Sequence, residues 1–371
     1  MSFVTRLRAY TRPRDPNTGL IGLDCARDSL HMVQFDRAHE LGVNLRAKVS
    51  MPYPEPLDTL LQEPAKLRRL VKEACASEGF VGRRMVSTLP ANQTSIVSIS
   101  YRLTSGQNEA RLIAELMQER LDGPLANWVI DYLPIRQNTA EERLALVAYA
   151  RREDAIAYLE MWRKCGFETV ALEIRPLAIK RLVYLISGAT LWNALSINFG
   201  RERSFLTLFS AKRVLYDQAV EFGETWLLSH LVDALDLPVE LLRNMVYSED
   251  ISSTSNQWVA SAVDLNIDMN DVFQEIIRPA FLPLIEAVDR ALIFAASETR
   301  GEPVREIFLL GSIARWAGIE KLMQTMLHLP VRVIPDPLVS MATGNTGQFS
   351  KSEPEIAVAT GLALKNMLPH V

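Results

Sequence analysis

The sequence predicts an α/β protein of two similarly built halves, with a smaller α+β subdomain inserted in the first. Three observations carry this. IGLDCARDSLHMVQF, residues 21–35, reads as strand, tight turn and strand. NALSINFG, SFLTLFSAK and RVLYDQAV, between 193 and 220, open a second half in the same way. Between 92 and 170 the texture changes to a self-contained alternation of strands and helices.

In order along the chain, residues 1–19 form a basic arm in which Arg6, Arg8, Arg12 and Arg14 precede the first acid, Asp15. It lacks the continuous apolar core of a secretory signal. It reads as a solvated end, or as a short amphipathic contact with a membrane surface or partner. Residues 20–91 hold the opening hairpin, a third strand near 43–49, the helix PAKLRRLVKEACASEG and the buried strand RRMVSTLP. Gly79 and Gly82 mark the helix exit.

In 92–170 the expected order is strand TSIVSISYRL, helix NEARLIAELMQERL, strand NWVIDYLPI, strand RLALVAYARR and helix EDAIAYLEMWRKCGF. Ile156, Leu159 and Trp162 are expected on one face of the last helix. Residues 171–190 return to the first half, with a helix beginning near Pro176, and the closing helix within 353–368 completes it. The second half spans 191–352 and is mostly helical over 224–300, with a polar loop, YSEDISSTSNQW, inside that part. VREIFLLG then reads as a buried strand, SIARWAGIEKLMQTMLHL as turn and helix, and VRVIPDP as a last strand.

Composition narrows the classes. With 48% hydrophobic and 23% charged residues the chain is globular, and a net charge of -4 gives no reason to expect general affinity for nucleic acid or anionic lipid. Three separated cysteines, Cys25, Cys75 and Cys165, fit reduced core thiols of a cytoplasmic protein. The longest apolar run, LVYLISGATLWNALSINF, is broken by polar residues and reads as helix end, turn and strand. The chain has no Walker A, dinucleotide, zincin or nucleophile-elbow motif, and its five histidines form no ligand-spaced cluster.

What remains is an ordered constellation: Asp24 closing the first strand of one hairpin, with Arg27 and Ser29 in and after its turn; Asn198, Gly200 and Ser204 in the second hairpin; Gly311, Ser312 and Gly318 in a strand-turn-helix. Singly, each has a plain reading. Asp24 serves equally as a turn former or as a ligand of metal-bound water, the glycines as turn residues, and Glu173 as an acid favouring a helix start.

In that order, over residues 20–368, the constellation resembles the actin-like ATPase plan, and within it the PilM-type type IV pilus assembly proteins, with MshI-like, GspL-like and FtsA-like relatives. IGLDCARDSLHMVQF resembles the family's first phosphate hairpin, ALSINFGRERSFLTLF its second, and IFLLGSIARWAGIEKLMQTMLHLPVRVIPDP its adenosine-side strand, turn and helix. MVSTLPANQTSIVSISYRL with VIDYLPI is similar to its inserted subdomain, and LEIRPLAIKRL to the segment joining the halves, which puts Glu173 near the cleft as the only candidate base.

The resemblance implies two halves with mixed sheets and flanking helices, and ATP with magnesium in the cleft, the metal reached from Asp24 through water. It also implies a scaffold role: binding the short cytoplasmic amino-terminal segment of a single-span PilN-like inner-membrane protein in a groove supplied by the inserted subdomain, about 92–170, and its border with the first domain. The chain would then sit in the cytoplasm, held at the inner membrane through that partner and other pilus or secretion platform components, with self-association open. The departures weigh against hydrolysis. Ala26 stands where the family has glycine, so any positive φ there is costly. Arg27 and Asp28 replace small hydroxyl residues, Asn198 replaces a carboxylate, and Ser312 replaces a second glycine and would crowd a base. An ATP-dependent small-molecule kinase of the same superfold is the alternative; it needs a carboxylate base beside the acceptor and intact phosphate turns, and the altered turns and the lack of a sugar-pocket signature count against it. A membrane-tethered FtsA-like filament former ranks lower, since NMLPHV is too short for an amphipathic anchor.

Overall fold

A computed structural model describes residues 17–37, 42–136, 143–187, 192–210, 213–248, 272–334 and 353–367. The basic arm before residue 17 and most of the polar loop at 247–258 lie outside these. The chain divides into two compact units, one of Met1–Ala189, Pro337–Ser350 and Ile356–Val371, the other of Thr190–Asp336 and Lys351–Glu355.

The first unit is built on β1 (Thr18–Cys25), β2 (Ser29–Arg37), β3 (Val43–Pro52), β4 (Arg84–Ser87) and β8 (Glu168–Leu172), in sheet order β3-β2-β1-β4-β8. β1, β2 and β3 form an antiparallel meander, while β4 and β8 join in parallel. Helices supply the crossovers that parallel pairing requires: α1 (Leu57–Gln62) and α2 (Pro64–Glu78) precede β4, and α4 (Arg152–Cys165) precedes β8, while α5 (Arg175–Ile186) follows the sheet's last strand. Pro64 sits in the first turn of α2, where its missing N–H costs nothing, and Gly79 ends the helix in the left-handed region at φ 75°.

Between β4 and β8, a three-stranded antiparallel sheet of β5 (Ser95–Tyr101), β7 (Arg143–Arg151) and β6 (Trp128–Arg136) carries α3 (Glu109–Gln118). Ile99, Tyr101, Ile113, Met117, Leu121, Ala145 and Val147 give it a core of its own. The next helix, α4 (Arg152–Cys165), does not share that core. Its Tyr158, Met161, Trp162 and Cys165 pack with Leu23, Met32, Val71 and Phe167 under the first five-stranded sheet.

The face expected on this helix is corrected accordingly. Trp162 is buried, but Ile156 is 50% and Leu159 37% exposed. A run of threes drifts by about 60° per step on a helix of 3.6 residues per turn. The stripe that turns inward is Ala155, Tyr158, Met161, Trp162 and Cys165.

The second unit repeats the strand plan of the first. β9 (Ala194–Phe199), β10 (Ser204–Phe209) and β11 (Val214–Val220) form an antiparallel meander, and β12 (Glu306–Gly311) and β13 (Val331–Val333) join β9 in parallel, in the order β11-β10-β9-β12-β13. α6 (Glu224–Leu235), α7 (Val239–Ser248) and α8 (Arg278–Glu298) lie between β11 and β12, and α9 (Ile319–Leu327) between β12 and β13.

The closing helix, α10 (Ala357–Ala363), packs on β1 and α5 in the first unit. Its fit depends on bare glycines: a Cβ on Gly22 would lie 2.1 Å from the Ala359 carbonyl oxygen, and one on Gly361 would lie 2.0 Å from that of Ala178. Among the described residues no helix is long and apolar enough to cross a membrane.

Candidate functional site

The first hairpin places Asp24 opposite His31, at the end of β1. Thr88 Oγ1 donates to Asp24 Oδ1 at 3.3 Å, which fixes the carboxylate on a neighbouring strand end. Arg27 and Asp28 are exposed in the turn, and the Asp28 carbonyl accepts the Tyr53 N–H at 2.8 Å. Ala26 is not among the residues of positive φ. This turn therefore carries no left-handed strain at Ala26.

Ser29 is already engaged: its Oγ donates to Asp28 Oδ1 at 3.0 Å and lies 3.1 Å from His31 Nε2. Beneath the turn, Ser87 Oγ donates to the Leu23 carbonyl at 2.8 Å, and the Tyr158 hydroxyl lies 2.7 Å from Ser87 Oγ and 3.7 Å from Cys25 Sγ. Burial pushes the Cys25 thiol up to about 12, so it is a neutral packing group and not a nucleophile.

Glu173 is only 6% exposed, and both of its oxygens are taken. One is ion-paired with Arg181 and the other with Lys365, which follows α10. Arg181 Nη1 also donates to the Gly361 carbonyl at 2.9 Å. A general base needs a free lone pair aimed at a substrate proton. The geometry gives Glu173 instead the role of a clamp that holds the closing helix to α5.

In the second unit the parallel pairing of Gly311 with Phe199 brings Asn198, Gly200, Gly311 and Ser312 to one sheet end. Gly311 has φ 87°, and a Cβ there would sit 2.0 Å from the Phe199 carbonyl oxygen and 2.9 Å from Asn198 Oδ1. The backbone alone therefore requires this glycine. Ser312 is buried rather than standing over the turn, and its N–H donates to the Phe199 carbonyl at 2.9 Å. Ser204, fully buried, donates to the Phe222 carbonyl at 2.6 Å. Gly318 precedes α9 at φ 80°, beyond the Ile313–Arg315 turn and Trp316.

The residues that organise this end, missed in the sequence, centre on Glu224. Its carboxylate is fully buried, ion-paired with Arg201 of the hairpin turn, and accepts from the Tyr247 hydroxyl at 2.8 Å and from Trp316 Nε1 at 3.0 Å. Burial first, then the adjacent Glu224 charge, holds the Tyr247 phenol well above its ordinary range. The N–H groups of Glu224 and Thr225 donate to the Gly200 and Arg201 carbonyls at 3.1 and 2.8 Å. The first turn of α6 is thus spent on the hairpin and not offered to an anion. Arg315 closes the cluster, with its guanidinium 4.7 Å from the centre of the Tyr247 ring and 3.0 Å from Glu355. The available signal was FGE directly after a strand: a glycine, then an acid at a helix start with an apolar run behind it.

The described residues include no group of three or more His, Cys, Asp or Glu side chains able to hold a metal. Asp24 alone fits magnesium in the manner of a single carboxylate acting through water, since that ion keeps most of its hydration.

A family model described as type IV pilus assembly protein PilM matches residues 22–367. The chain belongs to the PilM family. Among solved structures, the PilM-PilN type IV pilus biogenesis complex is similar at TM-score 0.72 and 20% identity, over 95% of this chain and 100% of that one. The ethanolamine utilization protein EutJ from Carboxydothermus hydrogenoformans gives 0.53 at 14% identity over 96% and 93% of the two chains. MreB5 of Spiroplasma citri bound to AMPPNP gives 0.52 at 10% identity over 95% and 98%. No curated protein matches the sequence. These likenesses show the fold: this PilM-family chain has the actin-like ATPase fold, with a five-stranded sheet of the same plan in each unit.

Proposed function

We propose that this type IV pilus assembly protein is a scaffold that binds the short cytoplasmic amino-terminal segment of a PilN-like membrane protein and does not hydrolyse ATP. The observation that carries the partner is the likeness, over 95% of the chain, to a structure whose chain is in complex with PilN. A surface of suited chemistry lies in the first unit. Val129 of β6, Ile156 and Leu159 of α4 and Val170 of β8 are all at least 37% exposed, and α4 packs on both strands. β8 pairs only with β4 among the described strands, so its outer edge offers backbone groups to an extended peptide. Anchors and edge together are what strand addition uses.

The absence of hydrolysis rests on where the chemical groups are spent. Glu173 is held by two cations, Ser29 and Ser204 bond within the protein, and the first turn of α6 caps a hairpin. Positioning and charge stabilisation are nearly all that phosphoryl transfer asks of a protein, and here those groups are engaged elsewhere. The same observations disfavour the small-molecule kinase. The scaffold works at the cytoplasmic face of the inner membrane, held there by its partner.

A synthetic peptide of the PilN-like segment tests the assignment in calorimetry. Ile156→Asp with Leu159→Asp is expected to weaken binding by roughly a hundredfold, the cost of losing two apolar anchors. Unchanged affinity in that variant would move the groove elsewhere.

A further inference from the structure

At the start of β1 the register slips. Thr18 pairs with Asp36 but Ile21 with Gln34, so three steps on β1 face two on β2. This is a bulge at residues 19–20, and such bulges recur where a strand is bent away to shape a site. Gln34, 1% exposed, holds the bend: its amide donates to the Gly19 and Val81 carbonyls at 3.0 and 2.8 Å and accepts the Val81 N–H at 2.9 Å. The bend opens a cavity of about 440 Å³ between β1, β4 and the residues after α10.

Its lining carries three cations, Arg37, Arg84 and Lys365, and no acidic side chain. Asn366 forms the far wall in the left-handed conformation, φ 61°, with its carbonyl accepting from Arg37 Nη2 at 2.8 Å. Arg37 itself lines the cavity. Among the described residues the ionic neighbour of Arg84 is Glu168, at 3.8 Å and 71% exposed, too far and too solvated to satisfy it. Lys365 reaches Glu173. The Thr18 hydroxyl, on the same wall, is buried and without a hydrogen-bond partner among the described residues. Lys365 is thus already neutralised, and the buried orphan hydroxyl beside Arg37 and Arg84, neither held by a carboxylate within hydrogen-bond distance among the described residues, is what a bound anion satisfies.

We infer that this cavity is a phosphate-type anion site, distinct from the Asp24 turn. Thr18 and Asp24 close opposite ends of β1, six residues or about 20 Å apart at strand spacing. The ligand chemistry is a phosphate group, supplied either by a free anion or by a phospholipid headgroup.

The full-length chain titrated with pyrophosphate in a calorimeter tests this. Wild type is expected to give saturable one-site binding at millimolar or tighter affinity. Arg84→Gln weakens it about tenfold, as loss of one charge-assisted bond implies, and adding Arg37→Gln weakens it further. Thr18→Val, which keeps the shape, also weakens it. Arg111→Gln removes the same charge from an 81% exposed side chain on α3 and leaves binding unchanged. Flotation with phosphatidylglycerol vesicles separates the sources: retention of wild type but not of Arg37→Gln/Arg84→Gln assigns a headgroup, and pyrophosphate binding without flotation assigns a free anion. The inference is overturned by no saturable heat and no flotation, by equal weakening in Arg111→Gln, or by binding lost in Asp24→Ala but kept in Arg84→Gln.

Discussion

Glu173→Gln separates a structural clamp from a catalytic base. In the wild type the carboxylate lies between Arg181, whose side chain is 7% exposed, and Lys365, 27% exposed. The amide is nearly isosteric but neutral, so two cations are left facing each other in a poorly solvated space. Removing one partner of a buried ion pair costs about 3–5 kcal/mol, and the exposed fraction of Lys365 puts this case towards the lower figure. Against a total stability on the order of 5–15 kcal/mol this is a large loss. Urea unfolding, followed through the buried Trp162 of the same unit, measures it. Adding Lys365→Met removes the second cation and is expected to recover part of the loss, with a coupling of about 1–3 kcal/mol. A loss below about 1 kcal/mol, or a gain in stability, would refute the clamp, since trimming a strained functional group commonly stabilises a protein.

Other predictions follow from the same geometry. Gly22→Ala drives a methyl group into the backbone of α10 and is expected to cost at least about 1–3 kcal/mol in denaturant unfolding, and Gly361→Ala likewise against α5. Glu224→Gln removes the charge that pairs Arg201 and receives the Trp316 N–H, so tryptophan emission shifts and melting falls, whereas the exposed-pair variant Glu115→Gln changes neither. Burial raises the thiols of Cys25 and Cys165 from 9.0 to about 12 and about 11. Because the folded values lie above the unfolded one, the two thiols take nothing from stability below pH 9; it falls as pH rises from 9 towards 12, read by melting against pH. In the native state neither thiol reacts with a thiol reagent at pH 8, while the half-buried Cys75 reacts first.

The strand plan was legible because it is local. Alternating apolar residues around 21–35 and 194–220 commit each hairpin, and repeating that order in two places predicts two matching sheets. What the sequence hid was the destination of side chains set by distant partners. Ile156 and Leu159 share a spacing with Trp162, but only the packing of α4 under the first sheet decides which residues turn inward. Ser29, Ser204 and Ser312 look like phosphate ligands by type and position. The carbonyls and side chains that engage them are Phe222 and Phe199 across the second sheet, and Asp28 and His31 at the first turn. Glu224 offered only the weak signal of an acid after a glycine at a helix start, and its role is visible once Arg201, Tyr247 and Trp316 meet around it.

The proposed role is that of a scaffold that holds its partner without turning over nucleotide. It is tested most directly by titrating the PilN-like amino-terminal peptide into the chain with and without ATP and magnesium, while phosphate release is followed in the same samples. One-site peptide binding of equal affinity in both conditions, unchanged by Asp24→Ala, is expected, with no phosphate released above the protein-free control. Peptide binding that requires ATP, or phosphate release that Asp24→Ala abolishes, would contradict it.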